Sequence, residues 1–168
     1  MKYNISADQI KKATHPHEIF LINLVFNHIF VFVVGLSVVR TFPILLGMVP
    51  ILSVSVLSYT LWRAKRSLQI DPWYVMCHWQ ISARWTRLFA LVLGVLGSFL
   101  IVGTVLRAYF NFSEIMVYAV LGGFGLLPTM ICILILIAIE SDALHQARHG
   151  ILPDWATARY LKITEEVE

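Results

Sequence analysis

The sequence predicts an all-α, polytopic membrane protein: a four-transmembrane-helix bundle with both termini cytoplasmic and short interfacial helices at the inner face. Three observations carry that reading. Of the 168 residues, 58% are hydrophobic and only 14% charged, whereas a soluble domain is about 45–50% apolar and about 25% charged. With a mean hydropathy of +0.76, the chain has too little polar surface to cover a water-soluble fold, and the bias is opposite to that of a disordered chain. The apolar residues gather into four blocks, and the basic residues collect outside alternate blocks.

The blocks run 19–39, 42–62, 88–106 and 115–139. Each approaches or exceeds the ~20 residues that a helix needs to cross ~30 Å of hydrocarbon. Helices are required because lipid offers no partner for free backbone N–H and C=O groups. A membrane β-barrel would alternate apolar and polar positions in ~10-residue units, and no such alternation occurs. A polar stretch precedes the first block and no small-residue cleavage pattern follows it, so that block is expected to remain as an uncleaved anchor.

Orientation follows from the basic residues. Lys2, Lys11 and Lys12 precede the first span; Arg63, Lys65, Arg66, Arg84 and Arg87 lie between the second and third; Arg148, Arg159 and Lys162 follow the fourth. Only Arg40 and Arg107 remain for the other two connections. The positive-inside rule then places the termini and the middle connection in the cytoplasm of an inner (plasma) membrane protein. Anionic headgroups are the natural partners of such flanking cations, and no nucleic-acid partner is expected.

The connecting segments carry their own signals. Ser6-Ala7-Asp8-Gln9 has the spacing of a capping box and predicts a short helix over 7–14, ended by Pro16, which then suits the first turn of span one. Asp71-Pro72 reads as a helix start for an interfacial segment over 72–86, in which Trp73, Trp79 and Trp85 with Arg84 and Arg87 act as anchors in the headgroup layer. The fourth span continues without a breaker past Glu140 to Gly150 and Pro153, and a last helix follows, so that 140–163 forms a cytoplasmic extension. Cys77 and Cys132 are too far apart in the pattern to meet and are expected to be free thiols.

Within the spans, polar residues are costly and draw attention first. Asn23, Asn27 and His28 on span one match Ser53, Ser98 and Thr129 in depth, a candidate midplane polar layer. Its plainest role is to hydrogen-bond helices together, and its sharper one is a polar path. Gly94, Gly97, Gly122, Gly123 and Gly125, with a bend at Pro128, predict close helix packing and a kink. At the inner face Asp142, His145 and His149 share one side of the extended fourth helix. With His15, His17 or His78 they form a candidate metal or haem site, while Glu140 is expected to point the other way.

Some functions are excluded by the same residues. A quinone-linked disulfide oxidase needs cysteine pairs on the outer face, and the outer connections hold none. A lipoprotein signal peptidase needs two aspartates there, whereas Asp8, Asp71, Asp142 and Asp154 all fall on the inner side. The expected function is a non-catalytic structural or accessory subunit of a membrane complex or homo-oligomer, whose partners are the bilayer and another membrane protein or a second copy. The alternatives are a small transporter or channel using the polar layer, and a metal- or haem-dependent membrane enzyme at the cytoplasmic face.

Overall fold

The computed structural model describes residues 3–165, with side chains through 160. These residues are helical throughout their long elements, with no strand among them. Four helices are long and apolar enough to cross a membrane: α1 (Ala7–Ser37), α2 (Pro43–Ile70), α3 (Trp73–Phe110) and α4 (Glu114–Arg148). A fifth helix, α5 (Asp154–Glu165), follows. At ~1.5 Å per residue α3 is roughly 57 Å long, nearly twice the ~30 Å of a hydrocarbon core.

The surplus length is packed against protein. Tyr3 N donates to the Gly150 carbonyl at 2.7 Å, so both ends of the chain meet at what is termed here the terminal end. There Ala13, Tyr74, Cys77, Ala147, Leu152 and Ala156 pack into one core cluster, and Ala64, Val75, Trp79 and Ala83 form another. Toward the opposite end most large apolar side chains face outward, among them Ile101, Tyr109, Ile115 and Phe124. Such a surface suits lipid, where apolar side chains have no incentive to cluster.

Local chemistry explains the helix ends. Ser6 caps α1 by accepting from Gln9 N at 3.3 Å, as the capping pattern predicts. Ser113 caps α4 in the same way through Met116 N. α3 ends at Asn111 in the left-handed region, φ 55°, a conformation that asparagine tolerates better than most residues.

Three local expectations are corrected. α1 does not stop before Pro16; it runs straight through. Proline inside a helix costs about 3 kcal/mol, but Ala13, Thr14, His17 and Phe20 on both sides of it are buried, and Ser82 Oγ donates to the Pro16 carbonyl at 3.3 Å. The packing of both flanking turns outweighs the local break. Residues 72–86 do not form a separate segment that turns into span three. They are the first turns of the unbroken α3, with 74–83 buried between its neighbours. The Asp71 side chain does not cap α3: its carboxylate takes a two-pronged pair from Arg63, at 2.6 and 2.9 Å. That charge-assisted geometry is stronger than a single backbone cap.

Two stretches wind as π-helix, Asn23–Val31 in α1 and Leu121–Leu126 in α4. The second directly precedes Pro128, whose missing N–H and bulky ring disturb the turn before it. The wider π-turn absorbs that disturbance, and α4 goes on without a break. The extension past the fourth span is helical through Arg148, as the sequence predicts.

Gly150 holds the terminal end together. Its φ is +69°, and a Cβ there would lie 2.7 Å from the Tyr3 carbonyl oxygen. Gly150→Ala is expected to destabilise the protein by about 1–2 kcal/mol from backbone strain alone and by more from the clash. Thermal unfolding in detergent, compared with an exposed control such as Gly47→Ala, which meets no neighbour, measures it.

Candidate functional site

Helix geometry brings one residue from each of α1, α3 and α4 to a common point near the terminal end. His17 lies one residue beyond Pro16 on the buried face of α1. Its Nδ1 is 2.6 Å from Glu140 Oε2 on α4, and its Nε2 is 3.0 Å from His78 Nδ1 on α3. The three side chains are fully buried. The two imidazoles stand nearly perpendicular, 5.2 Å between centroids. Tyr74, one turn before His78, presents its ring edge-on at 4.8 Å while its hydroxyl donates to the Ala147 carbonyl at 2.9 Å. The resulting chain, Glu140–His17–His78, ties three helices together.

The inner positions of this chain are bonded and its two ends are not. Glu140 Oε1 and His78 Nε2 have no hydrogen-bond partner of good geometry; the Ile151 carbonyl acts on the His78 ring in a looser arrangement. Burial pushes the His78 pKa down to about 3, the adjacent His17 adds to the shift, and the Ile151 carbonyl partly opposes it. His78 is therefore held neutral, a poor resting place for a second proton. The two contacts, 2.6 and 3.0 Å, are short enough to pass a proton, and the tautomers of the two rings set which nitrogen donates in each.

The midplane layer is assembled only in part. Asn23, Asn27, His28, Ser53 and Thr129 are buried, whereas Ser98 is exposed and donates to its own helix at Gly94 O. Asn27 Nδ2 donates to Asn23 Oδ1 at 3.1 Å and to the Val49 carbonyl at 3.0 Å, and His28 Nδ1 pairs with the Asn23 carbonyl at 3.0 Å. That last contact spans five residues, the spacing of the π-helix in which it sits. Thr129 donates to Gly125 O. Asn23 Nδ2, Asn27 Oδ1 and Ser53 Oγ lack partners among the described residues. Between this layer and the Glu140–His17–His78 chain lies an apolar plug that includes Phe20, Leu24, Leu57 and Phe89. Phe89 meets Phe20 at 6.0 Å on one side and His28 edge-on at 4.9 Å on the other.

The other sequence-derived sites are placed differently. Asp142, His145 and His149 stay exposed on one face of α4. Asp142 accepts from Gln146 and His149 turns to the His145 carbonyl. Among the described residues no three histidine, cysteine or acidic side chains are grouped so as to hold a metal ion. His17 and His78 face Glu140 instead, so the residue expected to point away is the one that turns inward. Asp142 sits only two positions along, about 200° around the helix, and that angle decides which carboxylate the core receives. His15 lies edge-on to Trp79 at 6.2 Å.

Of the anchors, Trp79 is buried, while Trp73 and Trp85 are partly so. Arg84 lies over both Trp85 and Trp155, and Arg87 is exposed. Of the glycines, Gly125 approaches α3, where a Cβ would come 3.0 Å from Leu96. Gly94, Gly97, Gly122 and Gly123 face no atom within 4 Å and do not pack this chain's own helices. Cys77 is buried, Cys132 is partly so, and both are free.

The sequence held one usable signal for the missed carboxylate. Glu140 falls seven residues after Ile133 and four after Leu136, both in the core, so it continues their helix face.

Two outcomes follow from this geometry. Removing one partner of a buried pair strands the other, so Glu140→Ala is expected to cost about 3–5 kcal/mol, with much of the loss recovered in a His17→Leu/Glu140→Leu double variant; unfolding in detergent measures both. The folded His78 stays unprotonated down to about pH 3, whereas an unfolded histidine takes up a proton below about pH 6.5. Stability therefore falls as pH drops through that window, and His78→Gln should flatten the acid limb of the profile. The chain matches no family model, no curated protein and no solved structure.

Proposed function

We propose that this chain is a small multi-pass membrane transport protein that handles protons, with the Glu140–His17–His78 chain at its cytoplasmic mouth. The observation that carries the reading is a buried carboxylate joined to two imidazoles in a line bonded at every inner position, with no partner at Glu140 Oε1 and only the Ile151 carbonyl near the outer side of His78. A buried ion pair is weak support for stability alone, and ionisable groups among membrane helices are a default sign of proton or ion passage. The Phe20/Phe89 plug separates this line from the Asn23, Asn27 and His28 layer and serves as the gate between them. Lys11, Lys12, Arg148 and the basic residues at the adjoining ends of α2 and α3, Arg63, Lys65, Arg66, Arg84 and Arg87, favour a terminal end that faces the cytoplasm of the inner membrane.

Proteoliposomes with an entrapped pH dye and an imposed potassium diffusion potential test the reading. Wild-type protein is expected to dissipate the proton gradient well above protein-free vesicles. Glu140→Gln, which keeps the shape and a hydrogen bond, should lower that flux by about tenfold or more. Equal flux from wild type, Glu140→Gln and His28→Ala, all folded by circular dichroism, would remove the proposal.

A second reading, a structural or accessory subunit of a membrane complex or homo-oligomer, draws on a different observation. Gly94, Gly97, Gly122 and Gly123 leave backbone uncovered on α3 and α4, and small residues help in a membrane only where another backbone comes close. A second copy or a partner helix fits there. Release of a lone monomer from native membranes by mild detergent counts against it.

A further inference from the structure

Outside the buried chain, the most strongly furnished concavity is a groove of about 470 Å³ between α1 and α2 at the terminal end. Trp79 forms its floor. His15 and Tyr59 set their ring edges toward that tryptophan at 6.2 and 6.4 Å, and the Arg63 guanidinium lies over its face at 4.8 Å. Asp71 fixes the guanidinium in place with two bonds. On the α1 side stand Lys11 and Lys12. Lys12 is paired with Asp8 at 2.6 Å in an exposed contact, of the kind worth at most about 1 kcal/mol. Lys11 has no ion-pair partner among the described residues.

The groove also has an apolar continuation. Seven residues make nearly two full α-helical turns, so Asp8, His15 and Ile22 lie on one line of α1, up to the π-helical stretch that begins at Asn23. Ile22 and Phe26 are exposed and, with Leu21, Val25 and Phe30, line a second, wholly apolar groove of about 300 Å³. On the α2 side, Tyr59 and Trp62 stand exposed where the apolar run ends, as aromatic side chains do at the headgroup level. Arg66 lies over Trp62 at 5.6 Å. Along α1 the cationic, aromatic-floored recess is thus followed, one to two turns on, by an apolar track that begins at Leu21 and Ile22.

The geometry points to a binding site for an anionic phospholipid, its phosphate headgroup held between Lys11, Lys12 and Arg63 over Trp79 and its acyl chain laid along Ile22 and Phe26. A free phosphate satisfies only the recess and leaves the track unused. The site does not depend on proton transport, since neither Glu140 nor His78 lines it.

Native mass spectrometry of the delipidated full-length protein, exposed to equimolar phosphatidylglycerol and phosphatidylcholine in detergent, tests the assignment. Phosphatidylglycerol is expected to be retained in clear preference. Lys11→Ala/Lys12→Ala, at two exposed positions, should reduce that preference by about tenfold with the melting temperature unchanged. Phe26→Ser should weaken retention of the lipid without altering any binding of inorganic phosphate. Equal retention of the two lipids, an undiminished preference in the double lysine variant, or full displacement by millimolar inorganic phosphate each overturns the proposal, the last by assigning the recess to a free anion.

Discussion

A carboxylate and two imidazoles buried where α1, α3 and α4 meet constrain everything around them. Taking Glu140 out of water is costly unless charge and hydrogen bonds are returned to it, and His17 returns them at 2.6 Å. For His17 to do so, α1 must pass Pro16 without bending away, and the helix is indeed continuous there. For His78 to complete the line, the start of α3 must be drawn into the protein, and that is where α3 is most deeply buried. The unbroken α1 and the buried first turns of α3 are both required for this line to form.

The same requirement divides the molecule lengthwise. At the terminal end, side chains from α1, α3, α4 and α5 interlock around Tyr74, Cys77 and Leu152, and polar groups are tied to helix carbonyls, as Gln80 is to Ala64 O at 2.6 Å. Toward the opposite end the helices present Ile101, Ile115 and Phe124 outward. Burial of apolar surface drives packing in water and gives little in lipid. The tightly packed half is built like a water-facing core, and the uncovered glycines lie in the half whose apolar side chains point outward.

The candidate functional features follow the same division. The charged and aromatic features, the Glu140–His17–His78 chain and the Lys11/Lys12/Arg63 recess, both lie at the terminal end, one inside the bundle and one on its flank. They share α1 but use opposite faces of it: His17 is turned into the core, while Lys11 and His15 line the groove. One helix thus serves an interior polar line and an exposed groove through the 100° step between successive residues.

Much of the fold was legible in the sequence because its signals are local. Four apolar runs specify four long helices, since a chain segment in hydrocarbon must satisfy its own backbone. Ser6 marked the start of α1 and the uninterrupted pattern past Glu140 marked the length of α4. The buried pairing was not legible, because it depends on which side of each helix faces its neighbours once three of them are docked. That angle turned Glu140 inward and left Asp142 in the open, brought His17 to His78 rather than to His145, and sent Asp71 to Arg63 instead of to a helix cap. Membership in a span is a property of composition over about twenty residues, and the sequence by itself determined it. The partner of a single buried charge is a matter of a few ångströms across residues as much as 123 positions apart, and only the tertiary structure decided it.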